Sequence, residues 1–510
     1  MKNRILSFLM LVSVFLTLVS CKMPWQDAQD IPPVCNAHTD DNRDGVCDGC
    51  SVSVIVTLDL YAINDLHGKL RDSDTQPGVE ELTTYLYKEM ADDAYPILLS
   101  SGDMWQGSAQ SNLTRGMLVT EWMNEMGFVA MTLGNHEFDW GEEYIEKNAQ
   151  LAEFPLLGIN VIDRDTNERV SYCDASVVVE AAGLEIGIIG AIGDCYSSIS
   201  PDFTGGVRFA VRDELTELVK DEAQRLLDRG VDVIVYSIHD GYEDSMSGEG
   251  YLSDGALASY YDVQQLSPYI DIVFEGHTHQ SYVVEDSAGD YHLQGGGDNR
   301  GITHAQLRVN SVSGDTYPTT REFVPATRYQ RENAHPLLDT LSERYEEQLS
   351  QGYRVLGRNN SYRDSNEIRE IVSMLYYQFA ISEWGDEYDI VLGGAFLTVR
   401  SPYHLGAGEI LYGDLNSILP FDNQLVLCKM SGYDLERVFF NSNSSNYFYT
   451  CGEHGESLRG NIDTNATYYV VTDTYTSTYK YNRMTEIERY AAPYYARDLL
   501  AEFIEAGGLE

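Results

Sequence analysis

Positive charge is scarce in this chain: 34 lysines and arginines stand against 80 aspartates and glutamates, a net −46 over 510 residues. A surface this acidic repels phosphate backbones, which excludes a general binder of nucleic-acid polymers. A pocket that accepts a small anion must then carry its own positive charge, from metal ions or a few placed arginines. Long apolar runs are scarce too. The run Ile5–Val19 is too short for a comfortable membrane span, and no later stretch is long and apolar enough to cross a bilayer. Internal repeats and low-complexity tracts are absent. With 43% apolar and 22% charged residues the chain is globular, neither disordered nor fibrous. At about 100–200 residues per domain, its length suggests two or three domains.

Lys2 and Arg4 before the apolar run make it a signal-peptide core. The run ends Leu18-Val19-Ser20-Cys21, which resembles a bacterial lipoprotein cleavage box with Cys21 lipidated as the mature N-terminus. Residues 1–20 therefore stand outside the fold, and the protein is expected to be exported and held at the membrane by its lipid alone, facing periplasm or cell exterior. An ordinary secretory signal with an incidental cysteine is the alternative. Cysteines number eight, and export to an oxidising compartment permits disulfides. Cys173 with Cys195 and Cys428 with Cys451 are expected as local bridges. Residues 21–53 read as an acidic tether. Within it Asp40, Asn42, Asp44, Gly45 and Asp48 resemble a short calcium loop, since hard cations want several oxygens around a sharp bend. Cys35, His38, Cys47 and Cys50 alternatively suit a small zinc knuckle, and a solvated spacer pinned by one disulfide is the plainest reading.

From residue 54 to 325 apolar runs alternate with helical stretches. Val54–Ile63, Tyr95–Leu99, Phe128–Leu133, Val231–Ile238 and Ile270–Phe274 read as buried strands. Glu80–Met90 and Arg212–Leu227 read as helices, the second stopped by Gly230. This is the pattern of an α/β domain. Residues 326–351 form a connector whose Ala334–Leu349 stretch reads as one amphipathic helix, and 352–510 form a second, tyrosine-rich mixed domain.

The chemistry follows the strands. The first runs into Asn64-Asp65-Leu66-His67-Gly68 and the second into Ser101-Gly102-Asp103. The third runs into Gly134-Asn135-His136-Glu137-Phe138-Asp139, the fourth into His239-Asp240-Gly241, and the fifth into Gly276-His277-Thr278-His279. Open α/β sheets place ligands at such strand ends. One histidine after a strand is ordinarily just a satisfied polar residue; five loops in series are a constellation. Mixed carboxylate, amide and imidazole groups suit a pair of Zn, Mn, Co or Fe ions. Such a pair polarises phosphoryl oxygens and activates water. A metalloprotease reading of His136-Glu137 fails, because position 140 is Trp rather than the second histidine of that motif.

The ordered set of Asp-x-His, Gly-Asp, Gly-Asn-His-Glu-x-Asp, His-x-Gly and Gly-His-Thr-His resembles the calcineurin-like metallophosphoesterases. In detail it resembles the branch of 5′-nucleotidases, UDP-sugar hydrolases and 2′,3′-cyclic phosphodiesterases. The resemblance implies an α/β/β/α sandwich followed by a mixed α+β substrate-binding domain. It implies one ion at Asp65, His67, Asp103 and His279 and a second at Asp103, Asn135, His239 and His277, bridged by Asp103. It also implies that His136, paired with Asp139, meets the transferring phosphate: a carboxylate on one ring nitrogen fixes the tautomer and favours imidazolium, which stabilises the transition state or protonates the leaving alkoxide.

The likeness of the second domain is looser. Pro420-Phe421-Asp422-Asn423 resembles a family turn whose aromatic stacks on the nucleobase, which places Phe421 and Asn423 at the substrate. Gly393-Gly394 and Arg400 resemble an Asn-Gly-Gly-x-x-Arg element, with Leu392 in place of the asparagine. Arg363 and Arg369 stand where the family has substrate-facing cations; ordinary surface charge is the competing reading. A Gly-Gly-Asp-Gly-Tyr run is missing after Tyr469–Val471, where Tyr475 either replaces the second stacking ring or is one of the 36 tyrosines with a core or surface role. The resemblance thus implies hydrolysis of small extracellular nucleotides to nucleoside and phosphate, for nucleotide catabolism and salvage. Nucleotide sugars, cyclic nucleotides or other phosphoesters are alternative substrates, and a catalytically inactive binding lipoprotein is the alternative of a different class.

Overall fold

The computed structural model describes residues 38–49, 52–72, 77–93, 95–199, 201–241, 266–285, 289–329, 334–395, 399–400, 404–440, 448–449, 458, 461–479, 483–492 and 494–510. The signal peptide, Cys21, Cys35, Cys50 and Cys451 lie outside them.

Two six-stranded sheets face each other. The first runs, edge to edge, Thr316–Pro325, Gly301–Asn310, Ile55–Ile63, Pro96–Ser100, Ala130–Thr132, Leu156–Leu157. The second runs Ser281–Glu285, Tyr291–Gly295, Ile272–Glu275, Val233–His239, Leu184–Ile192, Ser176–Ala181. Pairing is parallel from Ile55–Ile63 through to Leu156–Leu157 in the first sheet and from Tyr291–Gly295 through to Leu184–Ile192 in the second, and antiparallel elsewhere in both. Alternation decides the layers, because successive side chains leave a strand on opposite faces. Leu58, Leu60 and Ala62 point inward and pack with Ile186, Val233, Val235 and Phe274 of the other sheet. Tyr61 and Ile63 point outward beneath the helices Val79–Asp92 and Met117–Met126. On the far side Leu215, Val219, Ala223 and Leu226 line one stripe of helix Asp213–Asp228, as a 3.6-residue period requires. The result is the expected α/β/β/α sandwich.

A five-stranded mixed sheet carries the second lobe, ordered Phe448–Tyr449, Ile390–Gly394, Thr467–Asp473, Leu425–Ser431, Thr485–Arg489. Helix Ser365–Trp384 packs on it, started by Asp364, whose carboxylate accepts the Asn366 and Glu367 N–H groups while Glu367 reaches back. Gly393 and Gly394 are packing positions: a Cβ would meet the Ser373 carbonyl at 2.4 Å and the Phe439 ring at 2.3 Å, respectively.

Two expectations need correction. The connector is a broken helix, Leu337–Ser342 and Glu346–Ser350 separated by the tight turn Glu343–Tyr345. Tyr345 leaves helical geometry at φ −117°, ψ 21°, and its hydroxyl is drawn to Glu121 at 2.8 Å, beside the Arg344–Glu121 pair. The expected bridges are also absent. Cys173 and Cys195 are free buried thiols, donating to the carbonyls of Gly158 (3.4 Å) and His239 (2.9 Å). Cys428 is a free thiol in an apolar cluster. The acidic Asp40–Asp48 loop folds back on itself and the sandwich: Asp40 accepts from the Asp44 and Gly45 N–H groups (both 3.0 Å) and from Asn310 (2.6 Å). Among the described residues no helix is long and apolar enough to cross a membrane.

Candidate dinuclear metal centre

Both sheets end their central parallel strands at the same place, and the five loops meet there. Asp65, His67 and His239 are fully buried, and Asp103 and Asn135 nearly so. His67 Nδ1 lies 2.9 Å from the Gln106 carbonyl, which can only accept, so that nitrogen carries the proton and Nε2 presents a lone pair. That lone pair faces His279 Nε2 at 2.9 Å, with Asp65 Oδ1 3.3 Å from His279 and Asp103 Oδ2 3.9 Å from His67. His239 repeats the arrangement. Its Nδ1 donates to the Ser101 carbonyl at 2.6 Å, and its Nε2 faces Asp103 Oδ2 and Asn135 Oδ1, both at 3.2 Å. His277 Nδ1 lies 3.0 Å from the same Asn135 oxygen. Bare nitrogens and oxygens turned on one another repel unless a cation lies among them. Asp103 Oδ2 faces both His67 and His239, so the donors gather on either side of it, and their chemistry suits divalent ions. Asp65, His67 and His279, and again Asp65, Asp103 and His239, are close enough to share an ion.

The backbone is bent to achieve this. Asp65, His67, Asp103, His277 and His279 all hold φ between 49° and 73°, a region costly for L residues. Glycines admit the close approach: a Cβ on Gly102, itself at φ 94°, would stand 2.6 Å from His239 Nδ1, and one on Gly134 would stand 2.3 Å from Asp103 Oδ1.

His136 sits at the rim, its side chain 21% exposed, with Nδ1 2.7 Å from Asp139 Oδ2 and its backbone N–H donating to Asp103 at 2.8 Å. Burial works against its charge, but Asp139 and Asp103 outweigh it and raise the imidazole to about 9. Across the gap from the second lobe comes Phe421, stacked on His136 at 5.8 Å and on Tyr475 at 5.7 Å with planes 7° apart. Asn423, 7% exposed, leaves its Nδ2 without a hydrogen-bond partner among the described residues. Arg400 reaches the Gln106 side chain at 3.2 Å. The structure does not bring the other two arginines to this cluster through any described bond. Arg363 donates to Asn359 (3.2 Å), and Arg369 to Asn366 (2.8 Å) and the Val399 carbonyl (3.1 Å).

Sequence reasoning missed the supports. Glu137 is fully buried, and its two oxygens accept the N–H groups of Gly134 (2.7 Å), Asp103 (2.9 Å), Met104 (2.9 Å) and Trp105 (3.3 Å). One carboxylate thus ties the Asp103 loop to the Asn135 loop. Behind His277 and His279, Glu275 is held by His292 (2.7 Å) and Tyr282 (2.6 Å), and Gln294 bonds Thr278, the Gln280 N–H and the Gly276 carbonyl. A carboxylate three residues beyond Gly134 was the available signal for Glu137; nothing in the sequence marked Gln294.

Two facing sheets with convergent Asp, Asn and His donors at their carboxyl ends define a metal-dependent hydrolase of sandwich fold. Comparison with known proteins makes the class specific: residues 58–281 match the calcineurin-like phosphoesterase family. The chain is 25% identical over 432 residues to a 5′-nucleotidase of Vibrio cholerae, covering 74% of each. It is also 25% identical over 430 residues to an apyrase of Tabanus yao, covering 75% of this chain and 72% of that protein. In structure, 89% of the chain aligns with 98% of a putative 5′-nucleotidase from Staphylococcus aureus at TM-score 0.68 and 17% identity, a likeness of fold. The protein carries a calcineurin-like phosphoesterase domain and is a metal-dependent phosphoester hydrolase.

Proposed function

We propose that the protein hydrolyses small nucleotides outside the cytoplasm, anchored through Cys21, and feeds nucleotide catabolism and salvage. The observation that carries the reading is the position of Phe421. It lies parallel to Tyr475 and against His136, so a flat base held by the second lobe lies next to the centre where a phosphate is cleaved. Stacking on a base contributes about 1–3 kcal/mol and tolerates different bases. The open Asn423 amide is a donor for a base edge.

In this reading Asp65, His67, Asp103 and His279 hold one ion, and Asp103, Asn135, His239 and His277 the other. The bound pair supplies positive charge to the phosphoryl group and an activated water, which is how so acidic a chain accommodates an anion. The protein's own groups do the rest. His136, kept protonated by Asp139, donates to the phosphoryl oxygens or to the departing alkoxide from its free ring nitrogen. Arg400 and the aromatic pair orient the substrate.

Metal content and phosphate release test this together. With Mn²⁺, Co²⁺ or Zn²⁺ the protein is expected to bind about two ions per chain and to release phosphate from nucleoside monophosphates. Phe421→Ala should raise KM for nucleotides much more than for p-nitrophenyl phosphate, which has no base. An equal rise for both would make Phe421 a packing residue and remove the support for nucleotides.

A further inference from the structure

A polar patch interrupts the outward face of the first sheet. Tyr61 and His304 stand opposite each other in the pairing of Ile55–Ile63 with Gly301–Asn310, and their rings stack at 4.4 Å with planes 4° apart. His304 Nε2 lies 2.9 Å from Asp59 Oδ1, which also accepts the Gln306 amide at 3.1 Å. The Tyr61 hydroxyl donates to Asp93 Oδ2 at 2.5 Å. One donor atom each from Asp59, Asp93 and His304 lie within 4.8 Å of one another. Asp59 is 4% exposed, whereas the His304 side chain, at 15%, keeps a path to solvent. Charge does not balance here. Glu322, 3.8 Å from His304 Nδ1, is matched by Arg328 at 2.9 Å, which leaves two carboxylates facing one imidazole. Burial, with Asp59 and Glu89 nearby, raises the Asp93 carboxyl above its ordinary 3.8 against the Tyr61 bond and His304. The helix above the patch gives a second, independent sign. Helix Val79–Asp92 delivers Asp93 as its C-cap and has no basic residue in its last turn. The carboxyl end of a helix carries partial negative charge and favours a cation; here it meets an anion.

We propose that Asp59, Asp93 and His304 form a zinc site separate from the catalytic centre, with water in the fourth position, which fastens the end of helix Val79–Asp92 to the first sheet. Two carboxylates and a neutral imidazole carry two negative charges, which one divalent ion cancels. An imidazolium cancels only one and leaves a half-buried carboxylate unmatched. The mixed nitrogen and oxygen set suits zinc, which takes four such donors, whereas calcium and magnesium want oxygen. Tyr61 holds Asp93 in place, as the outer partner of a metal ligand does. The site is distinct from the five-loop centre. Asp59 precedes Ile63 by four residues on a strand rising about 3.3 Å per residue, so it stands about 13 Å short of the strand end where the Asp65 loop begins. By alternation it shares the face of Tyr61, beneath the helices.

The test uses the full chain, stripped of metal and titrated with Zn²⁺, with bound zinc counted by elemental analysis after free ion is removed. Asp93→Asn keeps the size and an oxygen for Tyr61 but removes one anionic ligand; His304→Gln removes the nitrogen donor. Wild type should bind one zinc more than either variant, in addition to the roughly two of the catalytic centre. That further zinc should raise the melting temperature of wild type and not of the variants. Phosphate release from p-nitrophenyl phosphate should be the same in all three proteins, because the centre is untouched. Equal zinc counts in wild type and Asp93→Asn overturn the site. So does a zinc lost from Asp93→Asn together with phosphate release, which would place that ion at the catalytic centre. A further zinc that leaves the melting temperature of wild type unmoved overturns the fastening of the helix. Should His304→Gln fail to fold because buried Asp59 loses its partner, Asp93→Asn decides alone.

Discussion

Individual residues at the metal centre are held where they would not go unaided. Five of them lie in the left-handed region, at about 1–2 kcal/mol each for non-glycine residues. Such strain persists only where the surroundings over-determine the position. Asp103 is the most heavily engaged, with one oxygen on the His136 N–H (2.8 Å) and the other toward His239 (3.2 Å) and His67 (3.9 Å). Asp103→Ala should therefore lose metal and turnover together; elemental analysis finding both ions at full occupancy would show the assignment to be wrong. His136→Ala should separate the two properties. Both ions stay, and kcat falls by about 10²–10⁴-fold, the usual contribution of a positioned acid or electrostatic donor. The fall should be smallest on p-nitrophenyl phosphate, whose leaving group needs little protonation; equal losses on good and poor leaving groups would argue for a purely electrostatic role. Residue identity was the legible part of this site, since Asp, Asn and His after strands announce their chemistry. Which ring nitrogen is bare, and how the backbone bends, depend on carbonyls such as those of Gln106 and Ser101 that no motif records.

Among the elements, strand positions were legible because their apolar runs are long and end in glycine-containing loops. Val54–Ile63 against the observed Ile55–Ile63 is typical of the agreement. The connector was not, because its break at Tyr345 is set by the distant Glu121, whereas its apolar spacing still suits a helix. Glu137 shows the same limit from the other side: its letter was visible in the motif, but its four N–H donors arrive from two loops that only the fold brings together. Glu137→Gln keeps the shape but offers an NH₂ where only acceptors fit. Metal affinity should fall by roughly 10–100-fold, as for other groups that orient ligands, with the melting temperature falling alongside. Unchanged affinity in a metal titration would mean the loops hold their register without that carboxylate.

At the scale of the whole molecule the two lobes meet through polar contacts. Asn112 donates to the carbonyls of Asn416 and Pro420 (both 3.2 Å), Arg489 pairs with Asp202 (2.6 Å), and Asp422 lies between Arg115 (2.8 Å) and Arg497 (2.6 Å). Burial raises the Asp422 carboxyl, but the two guanidiniums outweigh it and hold it below its ordinary 3.8. A carboxyl lowered on folding stabilises above its unfolded value, and that stabilisation disappears as pH falls through the lowered one. Asp422→Asn should therefore reduce stability at pH 7, by up to about 3–5 kcal/mol if the pair behaves as a buried one. The gap from wild type should close on acidification to well below pH 3.8; a gap independent of pH in thermal melts would assign the effect to packing. Sequence could not place this latch, because Arg115 belongs to no motif and its partner lies in the other lobe.

The metal centre also has a mechanical meaning. His67 and His279 stand 212 residues apart in the chain and come from opposite sheets, yet their ring nitrogens are 2.9 Å apart. An ion between them is a cross-link. In a chain-entropy estimate, closing a loop of that length is worth about 5 kcal/mol, comparable with a disulfide. Cys173 and Cys195 form no such bridge here, so chelation should act on this protein as reduction acts on a disulfide-stapled one. Limited proteolysis should run markedly faster after metal removal, with cuts entering between the two sheets, and re-addition of a divalent ion should restore resistance. Equal cleavage rates with and without chelator would mean that the sandwich is held shut by its apolar interior alone.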